Sequence, residues 1–430
     1  RSKRWSRSAQ TLFASWAVLG QLSSIGVLVG EALEPSPAHA DIRDIPGARS
    51  GTNGTGTSSK EGAFAIGVAA KADGVNALAV GFYANAIADA ATAIGEHANA
   101  SSSNSTALGR SANAEGANST AVGKSADADG ANSVAVGRSA LADASGAVAI
   151  GNFSNASATN SVAIGHKSKA VLAHTAALGS NASAQGNRTT AVGAEASALQ
   201  NASSAFGYLA TSSGFRSQTF GAYANATQNA SVALGYQAQA LGNRSLAVGS
   251  YSVANSNAST AIGHTANANA VHAVAIGVNS SASALRSTAI GSCSQASGVN
   301  SVAIGVDSFS SGGNAQAMGH QSKASGKNSI AIGSFANSSS NNSTAVGTSA
   351  VAAANYASSY GTLANASGNA SMAFGAGASA SENASIAHGV NSTASGANSS
   401  TFGTAANATA EDAIAVGHLA KASGSDAIAI

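Results

Sequence analysis

A glycine returns every 14 residues without a slip, from Gly67, Gly81 and Gly95 through to Gly417, 26 times in all. An unbroken period makes each 14-residue unit one physical step of a regular object, because a single inserted residue would shift everything after it. Units of this kind stack into a solenoid in which each contacts only its neighbours. What such a chain does depends on which columns of the stack are covered and which face outward.

With that glycine as position 0, position 13 holds Ile66, Val80, Ile94, Leu108, Val122 and Val136, and it stays aliphatic, Met or aromatic everywhere except at His388. Position 11 holds Val134, Val148, Val162, Val302 or Ile330, often replaced by Thr, and position 12 between them is nearly always Ala. Positions 3 and 5 are Ala or Ser, as in Ala112 and Ala114. The alternation has period two, so it specifies strands. Each unit then carries one bulky strand, such as Ser161-Val162-Ala163-Ile164, and one lean strand, such as Ser168-Lys169-Ala170. Glycine closes one turn. The opposite turn, at position 7, is Gly in 12 units, usually followed one or two residues later by Asn, His or Arg, residues that tolerate φ > 0 or cap a bend. Two strands and two turns make one coil, and 26 coils at the interstrand spacing give a rod on the order of 120 Å long.

Charge supports this frame. Between Ile66 and Gly417 no Asp, Glu, Lys or Arg falls at positions 0, 3, 5 or 10 to 13. Unpaired buried charge is costly, so its exclusion marks these columns as interior. Phe206, Phe220, Tyr360 and Phe402 at position 13 are matched at position 11 by Ser204, Gln218, Ser358 and Ser400, the trade that a fixed interior volume demands. The bulky strand is apolar on both faces, with Val162 and Ile164 on one and Ala163 on the other, and the lean strand of the same coil can cover only one. The other face requires a layer from another chain, so a homo-oligomer is expected.

The remaining composition excludes more than it assigns. Charged residues are 9% and aromatics 5% of the chain, and the net charge of +2 gives no general push toward nucleic acid or an anionic membrane. The lone Cys293 rules out an intrachain disulfide. No Cys/His or paired-carboxylate cluster recurs, and the glycines close coils instead of opening phosphate-binding helices, so neither an enzyme nor a cofactor or metal site is expected. Residues 1–40 read as an export signal, with Arg1, Lys3, Arg4 and Arg7 before an apolar run and Ala38-His39-Ala40 as a small-x-small cleavage site. The run over residues 12–30 is also long enough for a retained anchor. Residues 41–62 read as a flexible linker and 63–430 as the repeat region, which stops inside a unit as a piece of a longer protein would.

Residues 160–168 (NSVAIGHKS), with 132–139 (NSVAVGRS), 300–308 (NSVAIGVDS), 118–125 (NSTAVGKS) and 342–349 (NSTAVGTS), resemble the signature of the YadA-like head of trimeric autotransporter adhesins. The resemblance covers about residues 63–430. It implies a left-handed parallel β-roll, three chains packed around their bulky strands, exposure on a bacterial surface, and adhesion to host matrix with collagen as the best-known ligand. Outer-membrane attachment would come only from an anchor outside this sequence. Repeats such as 356–361 and 384–389 depart from the signature.

On this reading the residues that build the core and the trimer are Val134, Val136, Val162, Ile164, Val302, Ile304 and His388. His388 is expected as a neutral core histidine, with a shared metal or anion site as the other possibility. The ligand-binding candidates are Asn132, Arg138, Asn160, Ser161, His166, Lys167, Ser168, Asn300 and Asp307 from the signature segments. Tyr208, Tyr223, Tyr236 and Tyr251, on four consecutive coils, are a further candidate, since tyrosine stacked along a groove suits a contact surface. The preferred reading of the four is as corner-plugging aromatics over a thin Ala core. Arg110, Lys124 and Arg138 form a basic ladder that Glu115, Asp127, Asp129 and Asp143 are placed to neutralise. The expected function is a surface adhesin head that binds matrix multivalently. The alternative is a structural or ice-ordering solenoid, hinted at by Thr92, Thr106 and Thr120 but interrupted by Val134 and Val148.

Overall fold

A computed structural model describes residues 56–58 and 60–430, and the signal and apolar run expected within residues 1–40 lie outside them. All regular structure among the described residues is strand, in 54 short segments with no helix. Every strand pairs in parallel with its counterpart 14 residues away: Val162, Ala163 and Ile164 lie beside Val148, Ala149 and Ile150 on one side and Ala176, Ala177 and Leu178 on the other. The lean strands do the same, with Lys169 and Ala170 between Asn155–Ala156 and Ser183–Ala184. The result is a two-sheet parallel β-solenoid of 14-residue coils. Its first ladder pair joins Thr57 to Lys71 and Ser58 to Ala72, so the repeat begins inside the segment expected to be linker.

Two turns close each coil. The N–H of position 3 donates to the carbonyl of position 0, as Ser168 does to Gly165 at 3.3 Å, and the N–H of position 10 donates to position 7, as Ser161 does to Ala158 at 3.1 Å. The repeating glycines hold φ between +122° and +142°. A Cβ on Gly235 would lie 2.6 Å from the carbonyl oxygen of Gly249 in the next coil, so both the dihedral and the close approach exclude a side chain.

The position-7 glycines have a different cause from the one the sequence suggested. Their φ is not positive; a Cβ on Gly116 would instead overlap the carbonyl of Gly130 one coil on. The left-handed residues sit at positions 2 and 9 in each coil, nearly all non-glycine, with φ of +52° to +60°. Asn118, Asn132, Asn160 and Asn300 are among those at position 9, where Asn is the ordinary choice.

The coil interior is thinner than expected. Positions 3, 5, 10 and 12 are buried, and the largest fully buried side chains are Thr175, Thr189, Thr219 and Thr401, with Ser and Ala for the rest. Interior hydroxyls donate back to the turn carbonyls, for example Ser245 Oγ to Gly242 O at 2.7 Å and Ser252 Oγ to Gly249 O at 2.8 Å. The bulky residues of positions 11 and 13 point the other way. Each bulky strand reads half-buried or exposed, buried, half-buried or exposed along its three residues. Of the columns assigned to the interior from their lack of charge, positions 3, 5, 10 and 12 are inside the coil, while positions 11 and 13 lie outside the single coil.

The glycine column gives a direct test. Replacing Gly235 by Ala should destabilise by about 1–3 kcal/mol from the forced φ alone, before the clash is added, whereas Ser250→Ala, beside the same corner, should stay within about 0.5 kcal/mol. Denaturant unfolding of both variants checks this.

Candidate functional site

The outward-facing parts of the coil are two corners, positions 1–2 and 8–9, the outer side of the lean strand, and the bulky ribbon. The residues singled out from sequence divide among them. Asn132, Asn160 and Asn300 sit exposed at position 9, while His166, Lys167, Arg138 and Asp307 are exposed at positions 1 and 2, at the other end of the bulky strand. The signature therefore does not converge on one pocket.

Several of these residues have structural work. Asn132 accepts from Asn118 at 3.2 Å and Asn300 donates to Asn314 at 3.1 Å, links in amide ladders that run from coil to coil. Arg138 lies 5.0 Å from the Phe153 ring centroid. Ser161 and Ser168 are fully buried, and their hydroxyls donate to Ala158 and Gly165 carbonyls at 2.6 and 3.0 Å. They are structural and inaccessible to a ligand, contrary to the reading that grouped them with the binding residues.

Val134, Val136, Val162, Ile164 and Val302 are half-buried in the single chain, and Ile304 and His388 are exposed. None is core within one copy. His388 stands in an aromatic column between Phe374 and Phe402, with ring centroids 6.1 and 6.0 Å away. Tyr360 stacks on Phe374, and Phe206 on Phe220, at 4.8 Å with nearly parallel planes.

The four tyrosines form a continuous exposed structure. Tyr208, Tyr223, Tyr236 and Tyr251 meet edge to face at 5.3, 5.9 and 5.4 Å, and His264 continues the row 6.0 Å beyond Tyr251. Each ring is 43–45% exposed, so they pack on one another along the corner and do not plug the core. Partial desolvation, with smaller contributions from the neighbouring tyrosine hydroxyls, holds Tyr223 and Tyr251 above the usual tyrosine range.

The charged columns also differ from expectation. Arg110, Lys124 and Arg138 make no ion pair with Glu115, Asp127, Asp129 or Asp143. The acids gather on the outer side of the lean strand, where carboxylate oxygens of Asp127, Asp129 and Asp143 lie within 4.8 Å of one another. Among the described residues these are the ones whose spacing could hold a metal ion. Sequence reasoning missed the cluster because it joins positions 4 and 6 of neighbouring coils. Asn113 Nδ2 bridges it at 3.0 Å to Asp127 and 3.2 Å to Asp129. Desolvation, the hydrogen bond with Asp127 and repulsion from Asp127, Glu115 and Asp143 push Asp129 up to about 7, and desolvation then Asp127 raise Asp143.

A carboxyl raised above its unfolded value is protonated in both states at low pH and costs nothing there. The destabilisation accrues as pH rises from the unfolded value of 3.8 through about 7. Asp129→Asn should accordingly raise the melting temperature at about pH 8 and leave it unchanged near pH 3.5, which thermal scans at the two pH values check.

Two short in-register strands, two turns and an alanine interior define a repeat head of the parallel β-solenoid class. A family model described as "YadA head domain repeat (2 copies)" matches residues 58–84, a continuous series of copies over 86–168, 173–210, 226–252, a further series over 254–336, and 408–430. The chain belongs to this family. Family membership carries an adhesin-like role and exposure on a bacterial surface, in a group defined by adhesion and not by catalysis. No curated protein matches the sequence. Among solved structures, the collagen-binding domain of the Yersinia adhesin YadA is similar at 22% identity, covering 38% of this chain and 68% of that one, with a TM-score of 0.17. At that score the likeness carries no argument for this chain.

Proposed function

We propose that the chain is the head of a homotrimeric surface adhesin that attaches bacteria to host extracellular matrix, with collagen-type proteins as ligands. The observation that carries the reading is the bulky ribbon. Ile66, Ile94, Ile150, Ile304 and Ile332 are 37–40% exposed, yet no charge enters positions 11 or 13 in any coil from Ile66 to Gly417. Corner positions of similar exposure hold Lys, Arg, Asp and Glu freely. A half-exposed column free of charge along its whole length is a surface meant to be covered, and only a copy with the same 14-residue pitch matches it along its length.

With the ribbon facing its copies, the corners remain for ligands. Exposed candidates from the signature, His166, Lys167, Arg138, Asp307, Asn132, Asn160 and Asn300, then recur along and around the rod, and weak contacts add through multivalency. The tyrosine ladder is the most concentrated of these surfaces, since aromatic side chains give large contact area at low entropy cost. The threonines Thr92, Thr106 and Thr120 lie on the bulky ribbon, which disfavours the ice-ordering alternative.

Replacing Tyr208, Tyr223, Tyr236 and Tyr251 together by Ser should weaken solid-phase binding to collagen at least about tenfold while leaving the melting temperature nearly unchanged. Unaltered binding would remove the ladder from the ligand surface.

A further inference from the structure

The position-9 corner changes character in the middle of the solenoid. Asn104, Asn118 and Asn132 occupy it on three successive coils, and Asn300, Asn314, Asn328 and Asn342 on four more. Their side chains hydrogen-bond from coil to coil at 3.0–3.2 Å. Asparagine is the expected residue there, because φ is near +55° and its short amide tolerates that conformation. From His174 to Arg286, nine consecutive coils carry none. The column reads His174, Arg188, Ala202, Arg216, Ala230, Arg244, Ala258, His272, Arg286. Each of these residues keeps φ between +54° and +58°.

The corner also carries amide bonds at position 8, within this stretch and outside it, since Asn341 and Asn355 accept the backbone N–H of Lys327 and Asn341 at 2.9 and 3.2 Å beside the Asn ladder. Asn201, Asn229 and Asn257 at position 8 accept the backbone N–H of Asn187, Phe215 and Asn243 at 2.9, 3.2 and 3.1 Å. Within the stretch these position-8 bonds hold the corner without an Asn at position 9, which carries Arg, His and Ala in the left-handed conformation. Arginine occurs at position 9 on four of these nine coils and on no other coil, a concentration that the fold does not require and that indicates a role outside it.

Charge defines that role. All four arginines and both histidines of the row are exposed. Between Asp143 and Asp307 the chain contains a single acid, Glu195, and it lies at position 2 on the other corner. The row is straight: three arginines recur every second coil, about 10 Å apart, and Arg188 to Arg286 spans about 34 Å. Alanines at the intervening steps keep the guanidinium groups apart and leave a shallow depression lined by His174, Arg188, Ala202, Phe215 and Arg216.

We propose that this edge binds a linear sulfated polysaccharide of the heparin type, lying along the solenoid with its sulfate groups forked by the arginines. The proposal rests on the reading of the chain as an exposed adhesin head but uses a different surface from the tyrosine ladder. An extended polysaccharide presents clustered anionic groups at intervals along a rod, and the planar guanidinium suits bidentate contact with such oxyanions. A nucleic-acid strand fits less well. Its phosphates recur about every 3.4 Å, and base stacking needs aromatic platforms in the same groove, whereas this edge offers Phe215 alone, itself 5.0 Å from the Arg216 guanidinium.

The test measures binding of the full chain to immobilised heparin at about 0.15 M salt, beside a desulfated heparin. The variant changes Arg188, Arg216, Arg244 and Arg286 to Asn, the residue native to the column on either side. A control changes Lys71, Lys124, Lys323 and Lys327 to Asn, removing equal charge elsewhere. The arginine variant should lose at least about tenfold in affinity with its melting temperature and collagen binding retained, and the control should bind as the parent does. Absence of binding by the parent, equal binding of desulfated heparin, equal loss in both variants, or tighter arginine-dependent binding to single-stranded DNA or anionic vesicles would each overturn the proposal. The tyrosine variant should keep heparin binding, so the two surfaces fail separately.

Discussion

A 14-residue coil encloses room for alanine, serine and threonine and for nothing larger. The rest of the structure follows from that constraint. Strands this lean bring the backbones of successive coils so close at position 0 that a Cβ would meet the next carbonyl, so glycine recurs without exception from Gly67 to Gly417. With no space inside, every Val, Ile, Leu and aromatic of the bulky strand must stand outside the coil, beside its own counterparts 14 residues away. Within one copy the apolar interior is a column of methyl groups. The larger hydrophobic surface is the outer ribbon, which the single chain leaves 36–44% exposed at its most open aliphatic and aromatic positions before the last coil. The proposed trimer buries that ribbon, where covering the remaining exposed third or so of each Val or Ile contributes about 0.5–1 kcal/mol.

The same geometry separates stability from recognition. Backbone ladders, interior hydroxyls and the ribbon all run along the axis in columns of like residues. The corners carry the variation: amide ladders on some coils, a tyrosine row on others, an arginine row over nine. Because each coil contacts only its neighbours, a corner can change over a few units without disturbing the rest. One rigid scaffold can thus present several surfaces in series.

Much of this was legible in the sequence. Period two at positions 11 to 13 located strands such as Val162–Ile164, and at positions 3 to 5 strands such as Lys169–Ala170. The surplus apolar face of the bulky strand was visible because Val162 and Ile164 alternate with an equally apolar Ala163. Direction was not visible. Freedom from charge marks a covered surface but cannot say whether the cover is the chain's own lean strand or another molecule, so His388 and Ile304 read as interior while standing outside the coil. Left-handed backbone was half legible. Asn at position 9 announces it, but Leu209, Tyr223 and Thr265 at position 2 do not, since the backbone ladder imposes φ near +55° on whatever side chain occurs there. Ser161 and Ser168 look like signature polar residues in a string of letters, and only the turn geometry shows their hydroxyls bonded to the carbonyls three residues back. The Asp127, Asp129 and Asp143 cluster was not legible as a unit, because it joins positions 4 and 6 of two neighbouring coils.

Whether the ribbon is sealed by copies of the same chain decides the account. Sedimentation velocity of the purified chain at micromolar concentration measures this directly. A single species with three times the mass of the 41.0 kDa chain, dissociating when Val162 and Ile164 are both changed to Asp, is the predicted result. A folded, soluble monomer that persists at that concentration would contradict it.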